Sequence, residues 1–171
     1  VRRLLAEVGD DIDIVGFGDD IGFQGGPMVS PRLYEDLLAP RQRRYFDAIR
    51  AGTRAPVYYH TCGSVLPFLP RLIDMGVDIL NPVQVSAAGM GDTARLKREY
   101  GHHLSFWGAI DTHQVLPYGT PADVRDEVRR RIDDLAAGGG YVVAAVHNIQ
   151  RGVPPANVVA MCDAAQEFGA R

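Results

Sequence analysis

Five short apolar runs alternate with longer amphipathic stretches along this chain. The apolar runs predict strands over 12–17, 56–59, 78–80, 104–107 and 141–146. Because these runs are mostly continuous rather than alternating with polar residues, they are typical of a parallel sheet with both faces covered. The stretches between them carry apolar residues at helical spacing. The pattern therefore predicts five strand–helix units of the α/β class.

Capping residues mark where the helices begin. Ser30-Pro31 offers a capping hydroxyl and a proline at the first helical position, and predicts a long helix to about Ile49. Gly63-Ser64, directly after the second strand, predicts a tight turn and a helix capped by Ser64. Asp92 and Thr120-Pro121 give the same signal for two later helices. We expect helices over 1–8, 31–49, 65–75, 93–100 and 121–136, and a last one from Pro155 to about 168.

The spacing of the polar strand ends predicts the fold. Each strand is followed by a polar residue, and these are Asp19, His60, Asn81, Asp111 and His147. From position 19 to position 147 there are 128 positions in four steps, a mean of 32, which is close to the repeat of a (β/α)8 TIM barrel. Such a barrel needs about 250 residues, so five units cannot close it. We expect residues 1–171 to be the C-terminal portion of one such domain, a partial barrel with its other three units on the N-terminal side. An open doubly wound sheet is the alternative, although no G-x-G-x-x-G or Walker-type loop follows any strand.

Composition narrows the classes of function. The chain has 171 residues, 46% of them hydrophobic, and a formal net charge of −3, which suits one globular core. No apolar run approaches the roughly 20 residues of a membrane span, and no basic stripe indicates a nucleic-acid partner. Cys62 and Cys162 lie far apart, and so few thiols predict a reducing, cytoplasmic compartment. A small-molecule substrate is therefore the expectation.

The polar strand ends form the candidate site, because parallel strands place their carboxyl ends at one edge of the sheet. His60 and Cys62 form a His-x-Cys pair after the second strand, and His147 follows the fifth. Imidazole and thiolate groups suit Zn²⁺, and three protein ligands with one open position are the pattern of catalytic zinc. Three carboxylates could add a fourth ligand, orient a ligand or serve as general acid or base: Asp19, Asp20 and Asp111.

Structural roles stay open for the same residues. His60 and Cys62 also fit a hydrogen-bonded core histidine beside a buried thiol. His147 also fits a residue that caps the next loop, or one that contacts a substrate without any metal. Asp19-Asp20 precedes glycine-rich sequence, where aspartate commonly stabilises a turn. Asp111 also suits a helix N-cap.

Several motifs together carry a family resemblance. They are Gly18-Asp19-Asp20-Ile21-Gly22 with Gln24-Gly25, then His60-Thr61-Cys62-Gly63, Trp107-Gly108-Ala109-Ile110-Asp111-Thr112, and Gly138-Gly139-Gly140-Tyr141-Val142 with His147-Asn148-Ile149. With these motifs the chain resembles the C-terminal half of the single barrel of the uroporphyrinogen decarboxylase superfamily. That superfamily includes the porphyrinogen decarboxylase and the zinc-dependent methyltransferases that serve corrinoid proteins and coenzyme M.

The methyltransferase branch of this superfamily implies a metal site. Its members bind zinc through the His-x-Cys pair and a later cysteine, whose position is occupied here by His147. The resemblance thus implies that His60, Cys62 and His147 hold Zn²⁺ and that Asp19 and Asp111 are catalytic. It also implies methyl transfer that involves a thiol or a corrinoid, with a corrinoid protein as partner.

Two interpretations other than a methyltransferase stay open. The decarboxylase branch needs no metal and has a Gly-His-Gly-Ile turn at this point, so that His147 would contact a substrate carboxylate. The other is an inactive barrel fragment that needs a partner over its open edges, either a second copy of the chain or an N-terminal half. For the enzymes we expect substrate contacts from Asp20, Gln24, Asn81 and Asn148.

Overall fold

Five parallel strands form one sheet in which their order in space is their order in the chain. The computed structural model describes residues 1–169. Neighbouring strands pair in parallel, and the sheet does not close on itself within the described residues. This order has no reversal, which the doubly wound alternative requires. The five strands are β1 (Val15–Gly18), β4 (Val57–His60), β5 (Ile79–Asn81), β6 (Ser105–Ile110) and β7 (Tyr141–Ala145).

The helices lie close to the predicted segments. They are α1 (Arg2–Val8), α2 (Pro31–Leu33), α3 (Ala39–Arg50), α4 (Leu69–Asp74), α5 (Thr93–Tyr100), α6 (Val115–Tyr118), α7 (Pro121–Leu135) and α8 (Pro155–Gly169). A π-helical turn, Tyr34–Leu38, joins α2 to α3, and a 3₁₀ turn, Leu66–Phe68, precedes α4. None of the described helices has the length and apolar character needed to cross a membrane.

Most predicted caps are confirmed, but one is wrong. Ser30 accepts a hydrogen bond from the Leu33 backbone, and Asp92 accepts one from Arg95. Thr120 forms a reciprocal capping box at the start of α7. Ser64 does not cap the next helical turn, which starts only at Leu66 with Val65 at its N-cap position and no side-chain cap bond. The Ser64 backbone N–H donates to Phe23 O (3.0 Å) in the hairpin region.

Three elements differ from the pattern seen in the sequence. A short hairpin, β2 (Gly22–Phe23) and β3 (Gly26–Pro27), forms within the glycine-rich loop after β1, and the helix α6 was not predicted. Strand β6 was expected to end at Trp107 because Gly108 suggests a turn. It continues to Ile110 although Gly108 and Ala109 both have positive φ, since Ala109 N–H bonds Pro82 O (2.9 Å) and both residues pair with β7.

The two faces of the sheet are covered to different extents, so the expectation of full cover on both is wrong for the described residues. Val57 and Tyr59 of β4 are fully buried in a core with side chains of α3 and α4. Tyr58 points to the other face, where its ring meets that of Trp107 edge-on at 5.3 Å, and Val142 on β7 is 42% exposed there. His60, two positions after Tyr58, lies on this partly open face.

Candidate metal centre

The turn that follows β4 is held in place by close backbone packing. Gly63 has φ +83°, and a Cβ there would lie 2.5 Å from the carbonyl carbon of Gly22. A Cβ on Gly22 would in turn lie 2.7 Å from Ser64 O. The hairpin β2–β3 therefore lies directly against the His-x-Cys-Gly turn. Glycine is required on both sides of this contact, because any side chain would push the two segments apart.

Polar side chains fix the same turn. Gln84 accepts a hydrogen bond from Gly63 N–H (2.8 Å) and donates one to Gln24 Oε1 (2.6 Å). Asp20 Oδ1 accepts from the backbone N–H of Cys62 at 2.8 Å. Gln24 and Asp20, expected from the sequence to contact substrate, thus support the turn through these bonds. Gln84 was not predicted as a site residue, although its place just after β5 is a polar strand-end position like the others.

Three potential metal ligands come together at this edge of the sheet. The ligand atoms of His60, Cys62 and His147 all lie within 4.8 Å of one another, and His60 Nε2 is 3.4 Å from Cys62 Sγ. Tetrahedral zinc at its usual bond lengths separates a sulfur ligand from a nitrogen ligand by about 3.6 Å. The donor set, and the separation of His60 and Cys62 within it, are therefore compatible with zinc. Among the described residues this cluster includes no carboxylate, so Asp19, Asp20 and Asp111 do not join it.

The imidazole of His60 has a partner on its other side. Asn81 Oδ1 lies 2.5 Å from His60 Nδ1, and Asn81 Nδ2 donates to Trp107 O at 2.9 Å. The residue pair lies in register on neighbouring strands β4 and β5. A histidine that binds metal usually has such a partner on its second nitrogen. Asn81 was expected to contact substrate, and both of its polar groups are used within the protein.

The surroundings of Cys62 disfavour the charged thiolate form of its side chain. Burial raises its pKa above the ordinary value, and the nearby carboxylate of Asp20 raises that pKa further. A bound divalent cation would reverse this balance, because metal binding stabilises the thiolate and releases the proton.

The two aspartates predicted to be catalytic have different surroundings. The exposed carboxylate of Asp19 accepts a hydrogen bond from Gln42 Nε2 (3.0 Å). Gln42 is buried, accepts from the Tyr34 hydroxyl and donates to the Tyr59 hydroxyl. Gln42 was not predicted as part of the site, and its position inside the helix α3 gave no signal. Asp111 is only 7% exposed, and its carboxylate accepts from the backbone of His113 (2.8 Å). It is not the helix N-cap that the sequence left open, because α6 starts at Val115 with Gln114 at the N-cap position.

A cleft of about 320 Å³ opens beside the candidate ligands. Of the residues expected to bind substrate, Asn148 lines it. His113 lines it too, and its Nδ1 lies 3.2 Å from Ser86 Oγ, a contact that joins two loops. The full lining is Cys62, Gln84, Thr112, His113, Val146, His147, Asn148 and Gln150. None of these side chains is an acid, a lysine or an arginine, so the lining is polar but largely uncharged.

Comparison with known proteins identifies a matching family model and several relatives. The family model for uroporphyrinogen decarboxylase (URO-D) matches residues 4–168. A uroporphyrinogen decarboxylase from Actinobacillus succinogenes is 31% identical over 149 residues, which are 84% of this chain and 39% of that protein. A methylated-thiol–coenzyme M methyltransferase from Methanosarcina mazei is 24% identical over 143 residues, or 82% of this chain and 34% of the relative. The chain thus spans about two fifths of the length of the curated relatives that it matches.

A solved structure shares the fold. A methyltransferase from Methanosarcina mazei superposes with a TM-score of 0.73 at 20% sequence identity, and the match covers 99% of this chain and 48% of that one. The likeness extends over the whole sheet and its helices, and the expectation of an α/β fold with parallel strands is confirmed.

Proposed function

The chain belongs to the uroporphyrinogen decarboxylase family, and from this premise we propose that it carries the zinc site of a methyltransferase-type enzyme. The observation that carries the proposal is the approach of the ligand atoms of His60, Cys62 and His147 to within 4.8 Å of one another. We further propose that the five-stranded sheet is an arc of a (β/α)8 barrel. Its strands are all parallel and lie in chain order, and the site is at their carboxyl ends, where such barrels place their chemistry.

Each side chain has a distinct task in this proposal. His60 and His147 bind as neutral imidazoles and Cys62 binds as a thiolate. Zinc bound there would supply a Lewis acid that activates a thiol or polarises the substrate. Asp20 and Gln84 hold the turn that carries Cys62. Asp20 accepts a hydrogen bond from the backbone N–H of Cys62, and Gln84 accepts one from the backbone N–H of Gly63.

The proposal gives Asp19 a catalytic role and Asp111 a positioning role. Asp19 follows β1, whose last residue is in register with His60 on β4, and its exposed carboxylate is oriented by the buried Gln42. These features suit a group that takes up or delivers a proton at the rim of the site. Asp111 is buried and bonded to the backbone of His113, and this position suits orientation of that loop toward the cleft.

The cleft supports a small substrate. Its volume of about 320 Å³ is at the lower end for ligand sites, and its lining has no lysine or arginine to pair with several carboxylates. A porphyrinogen is much larger and carries several carboxylates. A thiol or a methylated thiol fits this lining better, and a relative of this chain is named for methylated thiols and coenzyme M. A corrinoid, free or on a partner protein, is the methyl carrier that we propose.

A metal-free decarboxylase is the second candidate. It is favoured by sequence identity, since the decarboxylase relatives reach 31% whereas the methyltransferase is 24% identical. In that case His147, exposed at the edge of the cleft, would contact a substrate carboxylate. Asp19 would then protonate or steer the pyrrole intermediate.

Elemental analysis of the purified chain separates the two candidates. We expect close to one zinc per chain in the wild type and its loss in His60→Ala and in Cys62→Ser. Cys162→Ser is the matched control, because that thiol is exposed on α8, and it should keep its zinc. Wild-type protein without zinc, or Cys62→Ser with undiminished zinc, would contradict the proposal. Decarboxylation of uroporphyrinogen that survives strong chelation would support the second candidate instead.

A further inference from the structure

The side chain of Asn81 is buried with both of its polar ends occupied. Its residue is 7% exposed, and Nδ2 donates to the backbone oxygen of Trp107 at 2.9 Å. A carbonyl oxygen only accepts hydrogen bonds, so the NH₂ end of the amide must face Trp107. The oxygen end of Asn81 then faces His60.

This orientation decides the protonation pattern of the His60 ring. Asn81 Oδ1 lies 2.5 Å from His60 Nδ1 and only accepts, so Nδ1 must carry the proton. In the neutral ring the other nitrogen, Nε2, then has a free lone pair. That nitrogen is the one that lies 3.4 Å from Cys62 Sγ. A backbone carbonyl on β6 thus determines, through Asn81, which atom of His60 can bind a metal ion.

We infer that Asn81 is a positioning residue that holds His60 as the Nδ1–H tautomer, with Nε2 presented toward Cys62 and His147. This inference gives Asn81 a task other than the substrate contact expected from the sequence. As a statement about zinc binding it rests on the proposed function, whereas the tautomer is a property of the chain itself. Without Asn81 the ring could rotate by half a turn or move its proton, and either change would remove Nε2 as a ligand.

Two substitutions separate this task from a merely structural one. Asn81→Asp keeps an oxygen toward His60 but cannot donate to Trp107. Asn81→Leu has a similar volume and loses both contacts. The first readout is ¹⁵N NMR of the histidine side chains in the metal-free chain, at a pH where the imidazole is neutral. The second is zinc affinity, measured in competition with a chromophoric chelator.

We expect His60 to carry its proton on Nδ1 in the wild type and in Asn81→Asp. In Asn81→Leu the signals should shift toward the Nε2–H form, and zinc affinity should fall about 10- to 100-fold, the usual effect of losing a partner of a ligating histidine. Asn81→Asp should bind zinc at least as tightly as the wild type, because the carboxylate makes the imidazole a stronger donor.

The outcomes that overturn the inference are distinct from those that overturn the proposed function. An Nε2–H tautomer in the wild type, or equal loss of affinity in both variants, would overturn the role of Asn81. If Asn81→Leu fails to fold, the wild type and Asn81→Asp still decide the tautomer. A wild type with the Nδ1–H form that binds no zinc would leave the positioning intact and remove the zinc site. A wild type that has the Nε2–H form and still binds zinc would leave the zinc site intact and remove the positioning role of Asn81.

Discussion

Gly22 and Gly63, 41 positions apart in the sequence, touch backbone to backbone beside the candidate metal centre. A Cβ on Gly63 would lie 2.5 Å from both the carbonyl carbon of Gly22 and the nitrogen of the next residue. Through this contact the glycine-rich loop after β1 supports the turn that carries Cys62. The two loops therefore act as one unit, and a change in either should alter the position of the candidate metal ligands.

Gly63→Ala should destabilise this unit and weaken metal binding. The left-handed backbone alone costs an alanine about 1–2 kcal/mol, and the clash with the hairpin adds to this. We expect the free energy of unfolding to fall by at least about 2 kcal/mol in urea titrations, together with reduced zinc content. Gly26→Ala is the control, since a Cβ there meets nothing within 4 Å and its φ is not positive. Equal stability of the two variants would contradict the packing argument.

Gln84→Leu should also destabilise the turn. It removes the acceptor of the Gly63 N–H and leaves a buried donor without a partner, which costs about 1–3 kcal/mol. Gln84→Glu keeps an acceptor for the Gly63 N–H and should lose less stability than Gln84→Leu, although it can no longer donate to Gln24. Gln166→Leu, on the exposed side of α8, is the control for the change in side chain. Chemical denaturation of the three variants measures the difference, and Gln84→Leu should be clearly the least stable.

Glu127 and Arg131 form a buried ion pair that should be sensitive to loss of either partner. Their side chains are 2% and 6% exposed, and Arg131 also donates to Thr93 Oγ1 (2.9 Å) and to Gly91 O (3.1 Å). Glu127→Gln leaves the guanidinium buried without its counter-charge, so we expect a loss of about 3–5 kcal/mol.

The exposed pair Arg95–Glu99 on α5 is the comparison for this prediction. Glu99→Gln should cost far less stability than Glu127→Gln, because solvent screens an exposed pair. Thermal and urea denaturation of both variants test the contrast. A similar loss in the two would mean that burial does not strengthen the inner pair.

The capping box of α7 should give a pH-dependent contribution to stability. Hydrogen bonds from the side chain and the backbone of Thr120 hold the pKa of Asp123 below its ordinary value. A carboxylate whose pKa is lowered by folding stabilises the folded state at pH values above the pKa of the unfolded chain. This contribution is lost as the pH falls through the lower pKa of the folded state. Asp123→Asn should therefore lower stability at neutral pH and have little effect in strong acid.

The control for this pH dependence is Asp126→Asn on the same helix. Asp126 does not belong to the capping box. Urea titrations at neutral and at acidic pH measure the loss of unfolding free energy in each variant. This loss should differ more between the two pH values for Asp123→Asn than for Asp126→Asn. A difference from wild type that is the same at both pH values would contradict the linkage.

The local features of this fold could be predicted from the sequence. Apolar runs of three to six residues and capping residues such as Ser30, Asp92 and Thr120 depend on neighbours within a few positions, and they gave the strands and most helix ends. Because parallel strands end at one edge, the sequence also brought His60, Cys62 and His147 to the same region. Their role as zinc ligands stays a prediction.

Only the tertiary structure decided which atoms meet. The end of β6 at Trp107 was mistaken because pairing with β7, which is distant in the sequence, extends the strand to Ile110. Ser64 does not cap because the helical turn after it starts only at Leu66. Gln84 and Gln42 were missed because their partners lie far away in the sequence. The His60 nitrogen that faces Cys62 depends on Asn81, 21 positions later, and Asn81 in turn on the backbone of Trp107. Local propensity fixes where a strand runs, whereas hydrogen-bond direction and close packing at its end depend on neighbours that only the folded chain supplies.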